Sequence, residues 1–160
     1  MTPEEYILRL IEASQKKYIL LKDMLSITRV QSEAFREDGL DELERLIALK
    51  QAKIDEIGKL DEQFDVYYQR MKQELKVKSL EELEAHKIKG LKELQDIISA
   101  IMSTIKEISS LEAANSENAN KMLQQFGEEI KRMSSSKKVS QAYGQTTAMQ
   151  PPSYFIDKKK

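Results

Sequence analysis

Few side chains in this chain could do chemistry. There is one histidine, His86, and no cysteine. A thiol nucleophile, a thiolate metal site and a Cys–His pair are therefore excluded. A single imidazole without partners is read as a surface residue. Carboxylates are plentiful, but sets such as Glu42, Glu44 and Arg45, or Lys92, Glu93 and Asp96, fall at helical surface spacings. Those make solvated pairs, not acid–base dyads. A carboxylate metal centre in a helical bundle calls for inward-facing Glu-x-x-His pairs, and the sequence holds none. Nor does it hold a phosphate-cradling glycine loop or a Gly-x-Ser-x-Gly elbow. The residues point to a protein that is not an enzyme, with no cofactor, no metal and no small-molecule substrate. What remains is suited to contact: polar side chains that interrupt apolar seams, and aromatic residues in a polar tail.

The elements that carry these residues are helices. Charged residues make up 33% of the chain, while Gly numbers 5 and Pro 3, which favours long helices with few turns. The dominant stretch runs from Leu91 to Met133. Apolar residues fall at Leu91, Leu94, Ile98, Ile101, Ile105 and Ile108, and after Glu112 and Asn115 the phase resumes at Ala119, Met122, Phe126 and Met133. This is a heptad seam on a helix roughly 65 Å long, which only helices of comparable length can cover. A first helix is expected from Thr2, where Thr2-Pro3-Glu4-Glu5 reads as a capping box, to a turn at Asp38-Gly39. Its seam is Ile7, Ile11, Ser14, Tyr18, Leu21, Leu25, Thr28, Ser32 and Phe35, widened by Leu10, Met24 and Ile27. A second, capped by Asp41 and Glu44, carries Leu43, Ile47, Lys50, Ile54, Ile57, Asp61, Phe64, Tyr68, Met71 and Leu75. Gly58 inside it marks either a close approach or a tolerated cost. Ser79-Leu80-Glu81-Glu82 opens a short helix to about Lys87, and Gly90 interrupts before the long one; a continuous helix from Ser79 is the competing reading. The expected fold is all-α: an antiparallel up-down bundle of three long helices plus one short helix, with coiled-coil-like packing.

Residues 1–133 form the bundle domain in this reading, and 134–160 a flexible basic tail rich in Ser, Gln, Thr and Lys and broken by Pro151-Pro152. The tail holds five Lys and one Asp, +4 of a chain whose net charge is −1, leaving −5 for the body. Nucleic acid is not the expected partner of so acidic a body. The N-terminus lacks the apolar core of a signal peptide, and no stretch is apolar enough to span a bilayer, so the expected location is cytoplasmic.

Every long helix places polar residues in its seam: Ser14, Thr28 and Ser32; Lys50 and Asp61; Glu112 and Asn115. They either set register or leave a groove that a partner helix completes. Asn115, Asn118 and Asn120 surround Glu117 in mid-helix, where Asn is a poor choice. That cluster reads as a solvated, loosened segment or as a polar layer facing a partner or the start of the second helix. In the tail, Tyr143, Tyr154 and Phe155 are candidate anchors that order on contact.

The arrangement of long helix, long helix, short helix, long helix and polar tail resembles the FlgN-type flagellar export chaperones over nearly the whole chain. The segment Asn115-Ser116-Glu117-Asn118-Ala119-Asn120-Lys121-Met122-Leu123 is similar to that family's Asn-rich stretch and hydrophobic pair. Ala142-Tyr143-Gly144-Gln145-Thr146 and the closing Tyr154-Phe155-Ile156-Asp157-Lys158-Lys159-Lys160 are similar to its tails. The resemblance implies a cytoplasmic escort for the hook-associated proteins of the hook–filament junction. Such an escort binds their terminal helices, prevents premature self-assembly and delivers them to the export gate. It implies Ile105, Ile108, Met122, Phe126, Ile130 and Met133 as the client-facing set, by helix-in-groove contacts to which adaptable Met is suited. It also implies Tyr143 as the residue that docks transiently on a membrane protein of the gate. The alternative is a structural coiled-coil protein that forms a homodimer or higher oligomer through the same seam.

Overall fold

A computed structural model describes residues 1–36, 38–84 and 87–131, the last six as backbone alone. Three long helices, α1 (Pro3–Glu33), α2 (Leu40–Leu75) and α3 (Leu91–Lys131), pack as an all-α up-down bundle. The short fourth element is a single 3-10 turn, Leu80–Glu82, and not a helix to Lys87. It contributes one fully buried side chain, Leu80; so short a run gains little from further helical turns once that leucine is placed. His86 lies outside the described residues, as does the segment 132–160.

Local chemistry sets the helix ends. The Thr2 N–H donates to Glu5 Oε2 at 3.0 Å and the Glu5 N–H donates to Thr2 Oγ1 at 3.2 Å, a complete capping box at the start of α1. At its other end α1 stops at Glu33, short of the expected Asp38-Gly39 turn. There the Arg36 guanidinium donates to the Glu33 carbonyl at 2.7 Å, and Ala34 is buried. Gly39 is not a left-handed cap. A Cβ on it would lie 2.1 Å from the Ala34 carbonyl oxygen, so the turn closes only around glycine. Its own carbonyl accepts from Leu43 N–H at 3.0 Å, so Gly39, and not Asp41, is the N-cap of α2, whose first helical residue is Leu40.

The end of α2 takes the left-handed conformation on Lys76 (φ 58°), with the Val77 N–H donating to the Lys72 carbonyl at 3.1 Å. This is the 6→1 closure of a Schellman motif, with lysine where glycine is usual. Gly90 (φ 90°) then turns the chain into α3, and its Cα lies so near α1 that a Cβ would meet Ile7 and Ile11 at 3.1 and 3.2 Å.

The chain forms two compact units, each with stretches of all three helices. In the first, Met1–Leu21 and Asp55–Ser103, the core gathers Ile7, Leu10, Ile11, Phe64, Tyr68, Met71, Leu91 and Leu94. Tyr68 is fully buried there; its hydroxyl accepts from the Leu80 N–H at 3.3 Å and so fastens the 3-10 turn to α2. The second unit holds Lys22–Ile54 and α3 from Thr104 onward. Its apolar groups include Ala34, Leu43 and Met122, with Phe35, Leu40 and Leu123 against them. Among the described residues no helix is long and apolar enough to cross a membrane.

Candidate functional site

The polar seam residues of the second unit form one connected layer. Thr28, Gln31, Lys50 and Asn115 are buried to within 2% of complete, and Glu112 is 7% exposed. The Lys50 ammonium donates to Gln31 Oε1 at 2.9 Å and is ion-paired with Glu112. Thr28 Oγ1 donates to the Met24 carbonyl at 2.7 Å and reaches Glu112 Oε1 at 3.4 Å. Asn115 accepts from Ser32 Oγ at 2.8 Å and donates to the Thr28 carbonyl at 3.2 Å. Two buried atoms, Gln31 Nε2 and Glu112 Oε2, have no hydrogen-bond partner among the described residues. Burial pulls the Lys50 ammonium down from the usual lysine range to about 7. Such a layer tolerates only one alignment of the three helices, since a slip by one turn would leave a charge against aliphatic side chains.

Of the three asparagines singled out from the sequence, only Asn115 belongs to this layer, and it faces α1, not the start of α2. Asn120 is exposed and Asn118 half-buried, and the helix continues through them unbroken. Gln31 and Lys17 were not among the seam residues read from the sequence, yet both are buried. The signal was present: Leu10, Lys17, Met24 and Gln31 recur at seven-residue intervals beside the main seam. In the first unit the Lys17 ammonium meets Asp61 Oδ1 at 2.7 Å, so the seam aspartate is neutralised by a residue that widens the α1 face. Gly58 faces open space, and a Cβ there would touch nothing within 4 Å; it is a tolerated glycine, not a close approach.

The residues expected to face a client divide into two groups. Ile105, Ile108 and Met122 are buried, at 5%, 4% and 6% exposure. They point into the bundle because the stripe that could greet a partner is the one α1 and α2 already cover. The side chains of Phe126 and Ile130, and all of Met133 and Tyr143, lie outside the described residues. The backbone is informative here. Met122 and Leu123 pack with Ala34, Phe35, Leu40 and Leu43, where α1 has ended and α2 is beginning. The α3 backbone continues eight residues further, to Lys131, and the other two helices have no further turns at that end.

Among the described residues no three His, Asp or Glu side chains are placed to hold a metal ion. No curated protein and no solved structure matches the chain. The profile of the FlgN protein family matches it over residues 1–151. With that match spanning both units and the polar layer, the chain belongs to the FlgN protein family, non-catalytic chaperones of flagellar type III export.

Proposed function

We propose that this chain escorts the hook-associated proteins of the hook–filament junction, binding their terminal helices until export. The single observation that carries the reading is the continuation of α3 beyond the end of α1 and the start of α2. In the sequence the heptad phase continues at Phe126 and Ile130 within it and at Met133 beyond the described residues. A helix that outruns its intramolecular partners while keeping an apolar stripe is suited to take an intermolecular one. In this reading Phe126, Ile130 and Met133 grip the client directly. Ile105, Ile108 and Met122 hold α3 against the bundle, and would reach a client only by leaving the core. Sheltering the client's stripe keeps it from pairing with other copies of itself. Tyr143 then docks the loaded complex transiently on the membrane protein of the export gate, and the ordering cost of such a segment keeps that contact weak enough for handover.

The test is co-expression with each hook-associated protein, followed by size exclusion, for the full chain, for a chain ending at Leu123, and for Phe126→Glu and Met133→Glu. A complex with the full chain that all three variants lose is the expected result. No complex with either client, together with a homodimer that survives truncation, would replace this reading with a structural coiled coil.

A further inference from the structure

The first unit carries an open, partly apolar groove. Lys16, Ile19 and Leu20 of α1 face Glu56, Lys59, Leu60 and Gln63 of α2 across an open groove of about 380 Å³. Ile19 is 61% exposed, and Leu20 and Leu60 are half-buried. None of the three is fully buried. The spacings 16, 19, 20 and 56, 59, 60, 63 are those of helix ridges, so the two helices form a trough of the shape that receives a third.

We propose that this groove docks an amphipathic helix of a partner protein whose apolar stripe is flanked by carboxylates. The charges select that occupant. Each wall offers one ammonium group, Lys16 from α1 and Lys59 from α2, and neither is ion-paired among the described residues. Against them the lining holds one carboxylate, Glu56. The trough is thus cationic on a chain whose first 133 residues carry a net −5. The chain's own segment 134–160 is a poor match, because at +4 it repeats the sign of the lysines. A second copy meeting the first through the same trough would set lysine against lysine. A helix with an apolar stripe covers Ile19, Leu20 and Leu60 and places its flanking carboxylates at the two ammonium groups.

Two synthetic peptides of roughly five helical turns, identical in their leucine stripe and flanked by Glu or by Lys, are titrated into the isotopically labelled full chain. The Glu-flanked peptide is expected to shift amide signals in 16–20 and 56–63 and to bind about tenfold more tightly than the other. Lys16→Glu with Lys59→Glu reverses that preference. Ile19→Ser weakens both peptides about tenfold. All three are exposed positions, and circular dichroism confirms that the variants fold. Equal affinity for the two peptides, no binding, or shifts confined to other residues would overturn the proposal. So would a concentration-dependent dimer that Ile19→Ser dissolves, which would make a second copy the occupant. Tighter peptide binding by a chain ending at Lys131 would equally overturn it, by assigning the groove to residues 132–160.

Discussion

Replacing Glu112 with Leu removes the counter-charge of an ammonium group that is 2% exposed. Well below pH 7, where Lys50 keeps its proton, an uncompensated buried charge costs about 3–5 kcal/mol. Lys50→Met leaves Glu112 in the same position, and the expected loss is of the same order. If the two effects were independent, the double variant would lose their sum, about 6–10 kcal/mol, enough to unfold most domains of this size. The structure predicts otherwise. With both charges gone, a buried ion pair has been exchanged for aliphatic packing, which is neutral or stabilising by about 1–4 kcal/mol. One penalty remains: Gln31 Oε1 loses its donor, at about 1–3 kcal/mol. The double variant should therefore lie within about 3 kcal/mol of the parent, and adding Gln31→Leu should recover the Gln31 penalty. Urea unfolding followed by circular dichroism gives the four corners of the cycle. Hydrogen exchange at the amides of 22–54 and 104–125 places the effect in the second unit. Single variants that each cost under about 1 kcal/mol, the range of exposed pairs, and add in the double would refute a buried, mutually dependent layer.

Other expectations follow from the same structure. Lys50 holds its proton less tightly when folded, at about 7, than in the unfolded chain, at about 10.4. Below pH 7 both states are protonated and the penalty is complete. Between about 7 and 10 the unfolded chain binds the extra proton, so stability rises with pH relative to the Lys50→Met, Glu112→Leu variant, as urea midpoints at several pH values will read. Gly58→Ala meets open space in mid-helix and should raise stability by about 0.5–1 kcal/mol. Gly90→Ala, by contrast, strains a positive φ against Ile7 and Ile11 and should lower it by at least about 1 kcal/mol; thermal unfolding distinguishes the signs. Lys76→Gly relieves the left-handed residue at the end of α2 and, net of the glycine entropy of the unfolded chain, should stabilise by about 0.5–1 kcal/mol in the same assay.

The sequence by itself determined the helices and their inward faces. A period near 3.5 is a property of the chain order, so Leu91, Leu94, Ile98, Ile101, Ile105 and Ile108 were legible as one buried face before any packing was known. The capping box at Thr2 was legible for the same reason, since donor and acceptor lie three residues apart. Helix ends that depend on distant or steric contacts were not. Gly39 is required by a carbonyl five residues back in a folded turn, and Leu80 is held by a tyrosine hydroxyl from the preceding helix. The polar layer shows the division most directly. Thr28, Ser32, Lys50, Glu112 and Asn115 each announced themselves as seam breaks, but nothing local says that five such residues on three helices meet at one level. Only the tertiary structure decides that, because burial supplies the reason for their pairing: a charge withdrawn from water must find its partner wherever the fold brings one. The same contact logic decided which part of the long seam is already occupied. Ile105, Ile108 and Met122 are spent on the bundle, while the backbone of α3 runs on past the last turn of its neighbours.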